Sequence, residues 1–426
     1  MYMIAALAPI VIAALSLLLR LVNLSTPKGY VFDEVYYVDG AKDFLKFGVE
    51  VTGNKPEFIV HPPVGKWLIA SGIKIFGNNE FGWRFAVAIV GTLLILLFAR
   101  LVHVLFYSPL LTAIGAALMA MDGLALVHSR TALLDLFLAF FVLLAVYLWQ
   151  RERHWWASIS IGLAMGTKWS AIYFLAILAL VCLYRIFTSY SGKELVRPTV
   201  KKILQYGLLP IFVYVSTWTG WFISNRGWDR QWSTNALASW WHYHAEMLSF
   251  HTGLTEKHSY QANPWSWMIM GRPTSFFYDS PKGCGTKECA QEVLAIGTPF
   301  LWWIGTVAVL VAFGFWFRSL VLKKTDAALN LIVIGISAGY LPWFFFQKRT
   351  VFTFYAIVFE PFMLLAIVYC AKLILDSHLK SGVSQAIVAT VIVVIFLNFI
   401  YFLPLFLGDV ITYDAWFKRM WLSSWI

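Results

Sequence analysis

Residues 30–37 read YVFDEVYY, placing adjacent carboxylates, Asp33 and Glu34, just after the first long apolar run at 2–20. Carboxylates beside a bilayer are costly unless something uses them. Kept ionised by a nearby cation, such a group can serve as general base for a hydroxyl nucleophile. Asp33 is the expected base, and Glu34 the residue that holds a sugar or gathers cations. Neighbours on a helix point about 100° apart, so the two do not share one task. On an irregular loop their roles could swap.

Cations recur at the ends of later apolar runs: Arg84, then Arg130 with Asp135 in HSRTALLD (128–135), Lys168 in GTKWS (166–170), and Lys348 with Arg349 in QKRT (347–350). More cations than the acidic pair can neutralise suggest a bound phosphate. A sugar linked through phosphate has a competent leaving group, because departing phosphate needs charge stabilisation more than a proton. Attack from the opposite face then inverts the anomeric carbon and needs one catalytic carboxylate, unlike the two of glycoside hydrolysis. The stretch 258–281 adds His258 and Tyr260 as candidate phosphate and sugar contacts, since a histidine can donate to phosphate near neutral pH. Plainer readings exist. A helix-end Arg such as Arg84 snorkels to headgroups, Asp135 pairs with Arg130 to hold two helices, Lys168 beside Trp169 anchors at the interface, and His258 is an ordinary loop histidine.

The positioning elements follow from composition. With 60% apolar and 13% charged residues, the chain is far from the roughly 45–50% and 25% of soluble domains. It reads as an all-α polytopic membrane protein, one domain over 1–426. Apolar runs predict eleven helices, at 2–20, 84–106, 110–127, 131–149, 155–167, 170–187, 204–223, 296–317, 328–346, 351–374 and 384–408. The first is expected to be retained, lacking a basic leader and a small-residue cleavage site. With the N-terminus cytoplasmic, the short inner turns carry Arg151, Arg153, Arg185, Lys193, Arg197, Lys201, Lys202, Arg318, Lys323, Lys324, Lys372 and Lys380, as the positive-inside rule requires. The net charge of +11 is therefore an orientation signal, and no nucleic acid is expected.

Two long loops, 21–83 and 224–295, then lie outside. In the first, KWLIASGIKIFG (66–77) is too short to span and reads as an interfacial helix. The second is rich in Trp, which suits headgroups or carbohydrate stacking. Cys182 and Cys370 fall in apolar helices, whereas Cys284 and Cys289 could pair in an oxidising compartment. No GxGxxG, GxxxxGK, HExxH or CxxC pattern is present, which argues against a nucleotide-driven pump and a standard structural zinc site. No cofactor is required by this chemistry. Asp33, Glu34 and Asp135 could ligate a hard divalent cation, but the surrounding Lys and Arg make one less necessary.

FDEVYY (32–37), HPPVGK (61–66), FGWRFAVAIVGTL (81–93), MDGLALVHSRTALLD (121–135), GLAMGTKWS (162–170), HSYQANPWSW (258–267) and FYAIVFEP (354–361) together resemble the protein O-mannosyltransferases, polytopic glycosyltransferases of the GT-C class. The resemblance covers most of the chain in the family's order. It implies mannose transfer from a polyprenyl-phosphate carrier to Ser or Thr hydroxyls of translocating proteins, outside the cytoplasm and with inversion. The secretion translocon and membrane lipids become candidate partners. The family's acidic pair falls on Asp33 and Glu34, its essential arginine on Arg84, and its LLxD-type motif near Leu133, Leu134 and Asp135. Lys168, His258 and Arg349 fall to phosphate binding, with Arg130, Tyr260 and Lys348 beside them and His61 and Asp135 in support. Eukaryotic members insert a MIR domain in the second outer loop, for which about 70 residues leave no room. A bacterial, actinobacterial-type member in the plasma membrane is the expectation.

Two rivals differ in what they need. Another GT-C transferase would move a lipid-linked pentose or aminopentose to a lipid or glycan. A transporter of lipid-linked sugars needs no acceptor and predicts midplane charges with paired broken helices, whereas the charges here cluster at helix ends.

Overall fold

The structure is a computed structural model and describes residues 2–53 and 55–426. It is predominantly helical. Among the described residues, five helices are long and apolar enough to cross a membrane: Glu80–Phe106, Ala171–Ser189, Pro299–Val321, Ala327–Phe346 (counting its short 3-10 tail) and Ser381–Leu407. Shorter apolar helices include Pro109–Ala120 and Asp135–Gln150. The chain is a multi-pass membrane protein.

Every predicted apolar run contains helix, but several runs are broken, each for a visible reason. The 110–127 run ends at Ala120 and restarts as Gly123–His128, because the Asp122 carboxylate accepts the Ala125 N–H at 3.0 Å and so caps a new helix. The 204–223 run begins earlier, at Val196, and passes through a π-helical turn, Leu204–Leu208, just before Pro210. Proline has no N–H to continue the ladder. The 351–374 run is a short 3-10 turn, Thr353–Val358, followed by Glu360–Leu375 with Pro361 in its first turn.

Packing divides the chain into two compact units interleaved in sequence. One comprises residues 1–32, 87–131 and 257–426, the other 33–86 and 132–256. In the first unit, Glu360–Leu375 is central and packs on Pro109–Ala120, Pro299–Val321, Ala327–Gly339 and Ser381–Leu407. Gly335 lies so close to the Phe362 ring that a Cβ there would overlap it. Strands Thr274–Asp279, Cys289–Ala295 and Val410–Thr412 form an antiparallel sheet in the stated order, and Cys284 and Cys289 are disulfide-bonded at its turn.

In the second unit, Asp135–Gln150, His154–Met165 and Leu209–Ser216 pack side by side. The first loop is not irregular: it carries Glu34–Phe47 and Val64–Phe76, packed on each other. The 66–77 stretch is helical as expected, but Lys66 turns inward instead of toward headgroups and pairs with Glu50, both side chains nearly inaccessible. A Cβ on Gly72 would overlap the Gly82 carbonyl oxygen, so the Val64–Phe76 helix meets the chain there backbone to backbone. That contact sets the start of Glu80–Phe106, and with it Arg84. In the second loop, Ala236–Gly253 packs a core of Val49, Val51, Tyr214, Trp218, Trp221, Tyr243 and Met247. Tyr243 pins residue 59 by donating to its carbonyl at 3.0 Å and accepting its N–H at 3.2 Å.

Candidate active site

Phe32 is the turning point of the acidic stretch. Its φ of 52° is left-handed, a conformation that costs a bulky residue about 1–3 kcal/mol. Its ring stacks on Phe276 at 4.7 Å and meets Phe354 edge-on at 5.5 Å, which fixes the chain immediately ahead of Asp33.

Glu34 opens the Glu34–Phe47 helix and is wholly buried. Arg84 grips it with two parallel bonds, Nε to Oε1 and Nη2 to Oε2, each 2.8 Å. The Ala132 N–H donates to Oε1, also at 2.8 Å. One carboxylate thus joins three chain segments. Neither side chain has measurable exposure. In this structure the two hold each other as a buried pair that positions the start of the Glu34–Phe47 helix, because burying either charge requires the other.

Asp135 begins Asp135–Gln150, where a carboxylate complements the helix dipole. Lys168 donates to both of its oxygens, at 3.0 and 2.8 Å. The pairing of Asp135 with Arg130 and the interfacial reading of Lys168 are both corrected by this buried pair. Arg130 instead serves its own unit, its Nη1 donating to the carbonyls of Leu19, Arg20 and Val22 and its Nη2 to that of Asn23, at 2.7 to 3.1 Å. Those carbonyls cap the end of Tyr2–Leu21. Arg130 thus has a structural task in its own unit.

Asp33 differs from all of these. It stands at the N-cap of the Glu34–Phe47 helix, yet its carboxylate accepts no capping bond. Its contact is a long one, from the Tyr37 hydroxyl at 3.4 Å. Burial pushes its pKa up to about 6; the Lys168 ammonium pulls it down, Asp135 pushes it up, and the Tyr37 hydroxyl lowers it. The group is a base of near-neutral strength inside a ring of committed charges.

The buried cations of this unit, among the described residues, are matched one to one: Arg84 with Glu34, Lys168 with Asp135, Lys66 with Glu50. The surplus expected from the sequence is absent from these three. The same pairing occupies Glu34 and Asp135, two of the three carboxylates weighed as cation ligands. In the other unit, Lys348 is exposed and Arg349 half-buried. His258 accepts the Tyr260 N–H at 3.1 Å and its ring meets Phe352 edge-on. Tyr260 lies 5.0 Å from the Arg272 guanidinium.

Several residues escaped sequence reading. Glu50 sits 16 positions before Lys66 with nothing local to mark it, and burial raises its pKa to about 7 against the lowering effect of Lys66. His251, which contacts the Val60 carbonyl at 2.7 Å, also escaped notice; it lies beside His61, the supporting residue expected from the sequence, with ring centres 5.4 Å apart. Beside Lys168, the Trp169 indole donates to the Tyr214 hydroxyl at 2.8 Å. That hydroxyl in turn lies 2.7 Å from His244 Nε2. Burial lowers His244 to about 4, and its Nδ1, 2.8 Å from the Trp240 carbonyl, is the protonated nitrogen.

Two family models match the chain. The dolichyl-phosphate-mannose-protein mannosyltransferase model spans residues 10–250, and the C-terminal four-transmembrane region of protein O-mannosyltransferase spans 236–425. The chain belongs to this family. It is 32% identical to the polyprenol-phosphate-mannose–protein mannosyltransferase of Mycobacterium tuberculosis, over 97% of this chain and 90% of that protein. The Corynebacterium glutamicum protein of the same name is 29% identical over 97% and 92%. Among solved structures, the Saccharomyces cerevisiae protein O-mannosyltransferase Pmt1-Pmt2 complex bound to the sugar donor superposes with a TM-score of 0.84, covering 99% of this chain and 92% of that one at 15% identity. ArnT from Cupriavidus metallidurans bound to undecaprenyl phosphate reaches 0.56, over 94% and 75%, at 14% identity. The fold of this mannosyltransferase-family chain is the GT-C fold.

Proposed function

We propose that this chain transfers mannose from polyprenyl-phosphate mannose to Ser or Thr hydroxyls of proteins, with Asp33 as general base. The observation that carries the reading is the Asp33 carboxylate, which caps nothing, meets Tyr37 at 3.4 Å and feels the Lys168–Asp135 pair. In the step, the acceptor hydroxyl oxygen bonds to the anomeric carbon as the bond from that carbon to the phosphate oxygen breaks. The proton passes to Asp33 and polyprenyl phosphate leaves, so the anomeric centre inverts. Glu34 and Arg84 hold the base in place by fixing the first turn of its helix. Lys348, Arg349, His258 and Tyr260 are the candidates that the sequence offers for the donor's phosphate and sugar. The reaction needs no cofactor, since proton and charge are both handled by side chains.

The basic inner turns support an extracytoplasmic site in the plasma membrane, with acceptors met as they leave the secretion translocon and the carrier drawn from membrane lipid. The test is a labelled Ser/Thr peptide incubated with membranes and a panel of lipid-linked sugars, alongside lipid and glycan acceptors. Mannose on the peptide, in α linkage from a β-linked donor, is the expected product. Transfer to the lipid or glycan acceptor alone would overturn the reading.

A further inference from the structure

Away from Asp33, a second group of side chains with metal-binding chemistry lies in the second long loop. Asp229, His242 and Glu246 each present one ligand atom, and these atoms lie within 4.8 Å of one another. His242 and Glu246 are four residues apart on Ala236–Gly253 and so share a face. Asp229 comes from the preceding loop, at a left-handed φ of 49°.

The separations are those of ligands rather than of hydrogen-bonded partners. His242 Nε2 is 3.4 Å from Asp229 Oδ2 and 3.6 Å from Glu246 Oε1. The buried ion pairs of this chain close to 2.8 Å. Two atoms each about 2.1 Å from a tetrahedral ion stand roughly 3.4 Å apart. The imidazole nitrogen therefore faces two carboxylates at once and is bonded to neither.

The surroundings orient this trio. The Trp228 indole donates to Glu246 Oε2 at 2.8 Å, leaving Oε1 turned to His242. The Trp232 ring lies flat on the His242 ring, 4.2 Å away and within 9° of parallel. Partners that fix a ligand's second atom and its ring plane are characteristic of metal sites. Without a cation, Asp229 and Glu246 also face each other as like charges.

We propose that Asp229, His242 and Glu246 bind one divalent first-row metal ion, Zn2+ by preference, which ties the 228–232 segment to the Ala236–Gly253 helix. One imidazole with two carboxylates suits Zn2+ better than Mg2+ or Ca2+, which favour all-oxygen shells. Side chains about one-third exposed leave room for water as the remaining ligand.

The test uses the full chain in detergent, purified without a metal-affinity tag and stripped with chelator. Zn2+, Mn2+ and Ca2+ are titrated separately by calorimetry, with tryptophan fluorescence recorded in parallel for Trp228 and Trp232. One equivalent of Zn2+ is expected to bind, with a fluorescence change. Its Kd should weaken at least tenfold in each of His242→Gln, Asp229→Asn and Glu246→Gln. Glu246→Gln keeps an oxygen for Trp228, so it serves where the other variants do not fold. Zn2+ uptake equal in wild type and Glu246→Gln, or no saturable uptake by wild type, overturns the proposal.

Discussion

Asp33 and Glu34 are consecutive residues, yet Glu34 is enclosed with two bonds to Arg84 while Asp33 keeps a carboxylate that caps nothing and meets Tyr37 only at 3.4 Å. The first fixes the helix start. The second is left available to react. The division assigns distinct consequences to mutations one position apart.

Asp33→Asn should reduce peptide mannosylation by at least about a hundredfold, the lower end of what a positioned general base contributes. The variant should still purify as a monodisperse protein. Normal turnover with polyprenyl-phosphate mannose would remove Asp33 from the mechanism.

Mannosylation should rise with pH, pass half its maximum at about 6 and level off above that, as Asp33 loses its proton. Stability should move the other way. Folded Asp33 holds its proton more tightly than the unfolded carboxyl, whose pKa is 3.8. Its stabilising effect is therefore present below about pH 4 and lost as pH rises through 6. Asp33→Asn should accordingly match or exceed the wild-type melting temperature at pH 7.5. A lower Tm would contradict the burial that raises this pKa.

Arg84→Ala and Glu34→Ala should each cost about 3–5 kcal/mol, the usual result of leaving one buried charge unpaired. Arg84→Lys should not restore stability, because an ammonium lacks the two-pronged geometry. Thermal unfolding in detergent reads both. A stable Arg84→Ala protein with only a raised donor KM would return Arg84 to phosphate binding.

Lys168→Met should shift the acid limb of the pH-activity profile upward, since the ammonium normally holds Asp33 down. Combining it with Asp135→Asn removes two opposing influences, so the shift should shrink. The double variant should also recover stability lost in the single one. Unchanged profiles in both would mean that Asp33 does not sense this pair.

Much of the architecture was legible in composition because burial in lipid demands apolar helices: each such run contains helix, and among the described residues five helices are long enough to cross a membrane. The breaks were less so: Asp122 at 121–135 carried a cap signal, but its role depends also on Trp302 and Thr298, whose N–H groups it accepts at 2.7 and 3.2 Å. The acidic pair stood out since charge beside lipid is rare. Its partners did not, because Arg84 lies 50 residues from Glu34 and Lys168 lies 33 from Asp135. Of the cations counted along the chain, folding pairs Arg84 and Lys168 with buried carboxylates that the count did not assign to them. Glu50 and Asp229 follow no short-range pattern, so only the folded chain brings them beside Lys66 and beside the His242 and Glu246 pair.

The Arg130 clamp has a consequence for biosynthesis. The carbonyls ending the first helix receive their donor from a residue about 110 positions later. At roughly 5–20 residues added per second, the ribosome needs on the order of 5–20 s to supply it. During that interval water or headgroups must satisfy the helix end, and a chain stalled before residue 130 would leave its opening segment without its lock.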